Sequence, residues 1–454
     1  MIHDTDFIQY EKTLKSSIDK SYAPINKEVY DKYNVKKGLR YKDGTGVMAG
    51  VTSIGEVSGY YIDDGEKKPM HGHLRYRGYD IFDIIDACEK ENRFGFEEVV
   101  YLLMTGELPT KEELEDFKSF MGCSRFLPDG FAEDMIMKAP SNNIMNKLAR
   151  SVLASYSYDD NPDDLSIDNI FMQSIQLIAQ LPVMASYGYQ AKRHYYDGQS
   201  LILHSPNPEL STAENFLYML RPDNKYTKDE AELLDALLIV HAEHGGGNNS
   251  AFTTHVVSSS DTDTYSAISA AIGSLKGPKH GGANAKVMGM MEDIKANVSD
   301  WTDKEAIKAY LERIIRKEAY DHSGLIYGMG HAIYTLSDPR ALIIKKKAEK
   351  LASKSEELLK EFNLYKLIEE LTPEVFEKVK NNGKAMCANV DLYSGFVYKM
   401  LGIPSELYTP LFAIARIPGW CAHRLEEVHA NRKIIRPAYK SVCKPRQYTH
   451  MCDR

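Results

Sequence analysis

Apolar residues recur at helical spacing along most of the chain. Residues 227–241 (TKDEAELLDALLIVH) open with Thr227 and Glu230 in capping-box spacing and continue as an apolar stripe, which predicts a helix. Residues 302–318 repeat the device, with Thr302 and Glu305 as the cap pair. There Ile307, Tyr310, Leu311, Ile314 and Ile315 share one face. Residues 340–381 predict two charged amphipathic helices with a break near Thr372-Pro373. The segments 81–104, 212–220 and 408–430 also fit helices. Strand patterns are sparse. The best lie within 45–77, where VTSIGEV, GYYIDDG and HLRYRGYDI stand among turn residues. The pattern predicts an all-α protein with a short β-hairpin region near the N-terminus.

Composition narrows the class. The chain has 454 residues, 43% hydrophobic and 26% charged, ample for a large core. Disordered, collagen-like and small disulfide-stapled chains are excluded. No apolar run reaches the ~18 residues of a membrane span. The start, MIHDTDFIQYEKTLK, has acids and no apolar stretch, unlike a secretory or transit peptide, so a cytoplasmic protein without a membrane partner is expected. The net charge of -8 argues against nucleic acid as a partner. The tail from 431 to 454, with seven Lys/Arg and one acid, reads as solvated. Six cysteines without a CxxC pair are expected to be free thiols.

Three glycine clusters, Gly245-Gly246-Gly247, Gly281-Gly282 and Gly328-Met329-Gly330, each abut a histidine. Glycine lets backbone approach a ligand closely, although a tight turn needs it equally. In HAEHGGGNNS (241–250), His241 and His244 lack the HExxH spacing, so a structural pair is favoured over a metal site. A metal centre of His241, His244 and His255 is kept as a competing reading. GPKHGGAN (277–284) sets His280 in a turn. GMGHAIYTLSDPRA (328–341) carries His331, and Arg340 after the helix-start pair Asp338-Pro339. NVDLYSGF (389–396) places Asp391 at a helix start, as an N-cap or a partly buried general base. LFAIARIPGWCAHRLEE (411–427) interrupts an apolar run with Arg416, which needs an anionic partner if buried. KIIRPAY (433–439) adds Arg436. Loop histidines, one aspartate and three arginines suit a di- or tricarboxylate substrate and proton abstraction α to a carbonyl. This chemistry needs no metal, flavin or pyridoxal signature, and no cofactor is expected.

These segments, in this order, resemble the citrate synthase family from about residue 45 to about 440. LRYRGYDI (74–81) and ENFLYML (214–220) add to the likeness. The resemblance implies an almost all-α fold, with a large domain of residues 1–280 and 391–454 and a small domain of 281–390. Closure of one domain on the other would exclude water. It implies condensation of acetyl-CoA with oxaloacetate, then hydrolysis of citryl-CoA to citrate and CoA. By matching motif, Asp391 would take a methyl proton, His280 would bond the thioester oxygen, and His331 would protonate the oxaloacetate carbonyl. His244, Arg340, Arg416 and Arg436 would hold carboxylates, Arg436 in the neighbouring subunit's site of a homodimer. Leu325, Ile326, Gly328 and Gly330 would recognise CoA. Propionyl-CoA, giving 2-methylcitrate, is the alternative donor, and a catalytically silent carboxylate-binding homologue the alternative class. Three departures from the family pattern stand out. HAEHG replaces HxDHE, Cys387-Ala388 replaces Tyr-Pro before NVD, and Thr335 stands where a basic residue is usual.

Overall fold

A computed structural model describes residues 4–22, 24–381, 385–431 and 433–453. Two compact units form: residues 50–435, and residues 1–49 together with 436–454.

The larger unit is helical, with one three-stranded antiparallel sheet. Its centre is the helix Tyr408–Glu426, which is buried almost all round because every residue from Ala413 to Arg424 is buried. It packs against Phe96–Thr105, Ile167–Asp197, Lys228–His241, Asn249–Ser258 and Thr264–Lys276. Arg416 therefore stands in the core rather than at a surface.

The helix predicted over 227–241 is Lys228–His241, closed by the Thr227–Glu230 capping box. At 302–318 the boundary differs by one residue. Asp303 is the N-cap of Lys304–Ile315, and its carboxylate accepts the Glu305 and Ala306 N–H groups. Thr302 bonds back to Asp300 instead. The predicted apolar face of Ile307, Tyr310, Leu311, Ile314 and Ile315 is buried. The break expected at Thr372-Pro373 falls elsewhere. The helices are Pro339–Ala352 and Glu356–Lys380, separated at 353–355, and Pro373 lies inside the second. Helix continuity survives there because Ile368, Leu371, Thr372 and Val375 stay buried on one side. The Thr372 hydroxyl also donates to the Ile368 carbonyl (2.6 Å).

Strands Gly55–Asp63 and Glu66–Tyr76 form the hairpin expected near the N-terminus, and Tyr79–Asp80 adds a short third strand. Asp64 and Gly65 turn it, both at positive φ, the geometry that matches strand twist. The sheet docks on the loop that carries His331. Thr335 donates to the Gly59 carbonyl, Gly72 N–H donates to the Ser337 carbonyl (3.1 Å), and His71 meets the Ser337 hydroxyl (3.1 Å). Residue 335 is thus a small hydroxyl buttress between two strands.

The smaller unit comprises the helices Asp4–Ser21 and Lys27–Lys32 and the irregular, exposed tail. Tyr10, Leu14 and Ile18 recur on one face of the first helix and are exposed. The six cysteines are free thiols. Among the described residues, no helix is long and apolar enough to cross a membrane.

Candidate active site

Helix ends and turns deliver the candidate residues. His241 is the last residue of Lys228–His241, and His244 follows in a turn fixed by Tyr76. The Tyr76 hydroxyl donates to the Ile239 carbonyl (2.9 Å) and accepts the Glu243 N–H (3.4 Å). Arg340 opens the helix Pro339–Ala352, behind the N-cap Asp338. Asp391 sits in the first turn of Val390–Met400, whose N-cap is Asn389 rather than Asp391 itself. His280 lies in the turn before Ala283–Asn297, its N–H on the Gly277 carbonyl (2.9 Å).

Tyr334 ties three of these groups together. Its ring stacks on His331 at 4.7 Å, its hydroxyl bonds His244 Nε2 (3.2 Å), and the Arg340 guanidinium lies 5.6 Å over its face. The His244 and His331 rings meet edge to face at 5.3 Å. His331 has a defined tautomer. The N–H groups of Ile333 and Tyr334 both donate to Nδ1 (3.1 Å each). A backbone N–H cannot accept, so the ring proton must be on Nε2. His331 thereby presents a neutral N–H donor.

His244 and His280 are also kept neutral. Burial and then Arg340 push His244 well below its ordinary value. Burial, then Arg416, lowers His280 to about 4. His280 Nε2 is held by the Ser250 hydroxyl (3.0 Å), which also accepts Trp420 Nε1–H (3.0 Å). Asp391 moves the other way. Burial raises its carboxyl to about 6, with Arg340 and Arg416 pulling it down and Asp338 pushing it up.

The two arginines differ in a way that matters for binding. Arg340 is paired with Asp338 through Nε (3.0 Å) and Nη2 (2.7 Å), and this holds its charge despite burial. Arg416, 1% exposed, donates Nε–H to the His241 carbonyl, and its guanidinium lies 4.8 Å from the Phe412 ring. Its Nη1 and Nη2 are buried with no hydrogen-bond partner. Burial lowers it to about 10, with Glu243 the first of the charges opposing that. A buried guanidinium with two orphaned nitrogens can accept a planar anion in its fork.

Glu243 replaces the acid of the usual pattern but faces away. Its Oε1 accepts the Gly245 N–H and bonds His423 Nε2 (3.0 Å). Gly55 and Gly419 make room for it. A Cβ on either would fall 2.7 Å from Glu243 Cγ or 2.5 Å from its Oε2.

The segment expected to bind CoA is stitched to the strand-like residues before Asp391. Gly330 N–H donates to the Cys387 carbonyl (2.7 Å), Asn389 N–H to the Gly328 carbonyl (2.9 Å), and Asn389 Nδ2 to the Gly330 carbonyl (2.9 Å). Gly328 has φ +82, and a Cβ there would stand 2.9 Å from Leu392 Cα. Gly328→Ala is therefore expected to displace this loop, raising the KM for the acyl-CoA at least tenfold while the KM for oxaloacetate changes little. Steady-state kinetics with each substrate varied checks it. Leu325 is exposed and Ile326 buried. Arg436 lies in the other unit and is exposed.

The sequence reading had not singled out Tyr334, Ser250, Trp420 or Glu243. All four stand within the quoted motifs, but a partner across the fold is not visible in spacing. The described residues do not bring His241, His244 and His255 together as a metal-ligating group. Those three turn to different partners, and His255 instead meets His423.

The profile for the citrate synthase C-terminal domain matches residues 41–438. A citrate synthase of Haloferax volcanii is 36% identical over 81% of this chain and 88% of its own. 2-Methylcitrate synthase 1 of Corynebacterium glutamicum is 34% identical over 90% of this chain and 96% of its own. The ternary complex of carboxymethyl coenzyme A and oxaloacetate with citrate synthase from Thermoplasma acidophilum superposes with a TM-score of 0.74. It covers 92% of this chain and 99% of its own at 27% identity.

Proposed function

The chain belongs to the citrate synthase family, and from that premise we propose how its own residues divide the work. The reaction is condensation of acetyl-CoA with oxaloacetate, followed by hydrolysis of citryl-CoA to citrate and CoA. The observation that carries the assignment of roles is Arg416, a buried guanidinium with two orphaned nitrogens near an Asp391 raised toward neutrality.

Oxaloacetate enters first in this reading, and a carboxylate fills the fork of Arg416. Arg340, steadied by Asp338, and His244, steadied by Tyr334, hold the rest of the acid. His331 donates its Nε2–H to the keto oxygen. Asp391 removes a proton from the acyl methyl group, and His280 stabilises the enol. Ser250 positions the ring through Nε2, and His280 donates a ring N–H to the thioester oxygen. The carbanion attacks the keto carbon, and the His331 proton passes to the new hydroxyl. Water then cleaves the thioester and CoA leaves. Leu325, Ile326, Gly328 and Gly330 contact the CoA. Residues 281–390 act as a small domain against 1–280 and 391–454.

Arg436 is assigned to the neighbouring subunit's site in a cytoplasmic homodimer. The exposed Tyr10, Leu14 and Ile18 face supports that assembly, since a second copy would cover it. No cofactor or metal enters these steps.

A propionyl donor is the second reading, favoured by the relative named 2-methylcitrate synthase 1. One methylene is worth only ~1–3 kcal/mol in a pocket, so dual use is compatible with this site. CoA release with oxaloacetate, compared for acetyl-CoA and propionyl-CoA by kcat/KM, tests both. A higher value for acetyl-CoA supports citrate formation, and a higher value for propionyl-CoA transfers the assignment. No thiol release with either donor leaves the silent homologue.

The pH dependence follows from the same groups. Asp391 must be ionised to act as base, and it titrates at about 6. His280, at about 4, stays neutral down to well below that. The kcat/KM is expected to be flat above pH 7 and to fall about tenfold per unit below 6. A profile flat to pH 5 would remove Asp391 as the base.

A further inference from the structure

Behind the candidate site, on the far side of Glu243, four buried side chains form a chain that the reaction does not use. Glu427 Oε2 bonds His255 Nδ1 (2.7 Å), His255 Nε2 faces His423 Nδ1 (3.1 Å), and His423 Nε2 bonds Glu243 Oε1 (3.0 Å). The outer nitrogens both meet carboxylates, so both are N–H donors. In neutral rings that leaves two bare lone pairs facing each other at 3.1 Å. A cation, either a proton or a metal ion, must lie between them.

Three further observations favour the metal. Glu426 Oε2 lies 3.9 Å from His423 Nδ1, shut from solvent and without a hydrogen-bond partner, while its Oε1 is held by Ser53. A shared proton would leave that oxygen in a 3.9 Å ion pair with no hydrogen bond. His255, His423 and Glu426 form the one group among the described residues whose metal-ligating atoms converge, all within 4.8 Å of one another. Tetrahedral zinc, with bonds of about 2.0–2.1 Å, sets its donors about 3.4 Å apart, a spacing small side-chain rotations reach. Last, each histidine is backed by a buried carboxylate, the arrangement that fixes tautomer and ring direction in metal-bound imidazoles. Gly246 keeps the face open, since a Cβ there would stand 3.2 Å from His255 Nε2.

We propose that His255 Nε2, His423 Nδ1 and Glu426 Oε2 bind a first-row divalent cation such as zinc, with Glu427 and Glu243 orienting the two rings. The ion is structural. It ties the helix Asn249–Ser258, which carries Ser250, to the helix Tyr408–Glu426, which carries Arg416. Through Glu243 it also steadies the turn of His244. The three carboxylates supply the negative charge that balances it.

The test uses the full-length protein expressed with zinc and dialysed free of loose metal. Elemental analysis is expected to find about one zinc per chain. Cobalt(II), exchanged into the apo-protein, should give the visible absorption of a tetrahedral N/O site, with a water as the fourth donor beside the three side chains. Glu427→Gln retains all three ligands and should weaken cobalt binding by about 10–100-fold. Glu426→Gln should abolish the tetrahedral band while leaving a folded protein by circular dichroism. Metal at background level, or a cobalt spectrum unchanged in both variants, would overturn the proposal and leave a shared proton between the rings.

Discussion

Asp391→Asn is expected to lower kcat for condensation by about 10²–10⁴-fold while oxaloacetate binds within a few-fold of normal, because only proton abstraction needs the carboxylate. Asparagine keeps the shape and remains in the first turn of Val390–Met400, so the fold does not depend on the change. Its effect on stability has the opposite sign. Burial raises Asp391 to about 6 from an ordinary 3.8. A group raised in the folded state contributes its full stability below pH 3.8 and loses it as pH rises through 6. Above that, the ionised carboxylate costs up to about 3 kcal/mol. Asparagine removes the cost, so the variant should melt higher than the parent at pH 8 and at the same temperature at pH 3.5. Single-turnover kinetics and paired thermal melts at the two pH values check it. Retained kcat, or a lower melting temperature at pH 8, would contradict the role of a buried base.

Arg416→Met is expected to weaken oxaloacetate binding by about 10²–10³-fold, as truncating a buried charge partner costs ~2–5 kcal/mol. The reason is the pairing. Arg340 already satisfies itself on Asp338, whereas both terminal nitrogens of Arg416 have no hydrogen-bond partner in the protein. Methionine fills similar volume against Phe412 without a buried charge, so stability should hold or rise. Arg416→Lys keeps the charge but loses the planar fork, and should recover only part of the affinity. Titration calorimetry with oxaloacetate reads all three proteins. Unchanged affinity in the methionine variant would remove Arg416 from the carboxylate site.

Several features were legible along the chain because they are local. The Thr227–Glu230 capping box, the buried face of Ile307 to Ile315 and the Asp64-Gly65 hairpin each need only neighbouring residues to define them. So did the motif positions of His280, His331, Arg340, Asp391 and Arg416. Local signals also misplaced some boundaries. Asp303 out-competes Thr302 as a cap because its carboxylate accepts two N–H groups at once. Pro373 is carried inside a helix because the buried face around it outweighs one missing backbone bond.

What no spacing could supply is which charge meets which. Glu243 and His423 are separated by 180 residues, yet they pair because Gly55 and Gly419 leave room for the carboxylate. Thr335 departs from the family's basic residue, and only the sheet packed on it shows why a small hydroxyl fits. The His331 tautomer depends on two backbone N–H groups aimed by one turn. The sequence determined the inventory of acids, bases and guanidinium groups, and the helices that present them. The tertiary structure decided their charge states, because burial and distant partners, not neighbours in the chain, shift Asp391 upward, keep His280 neutral and leave Arg416 unpaired.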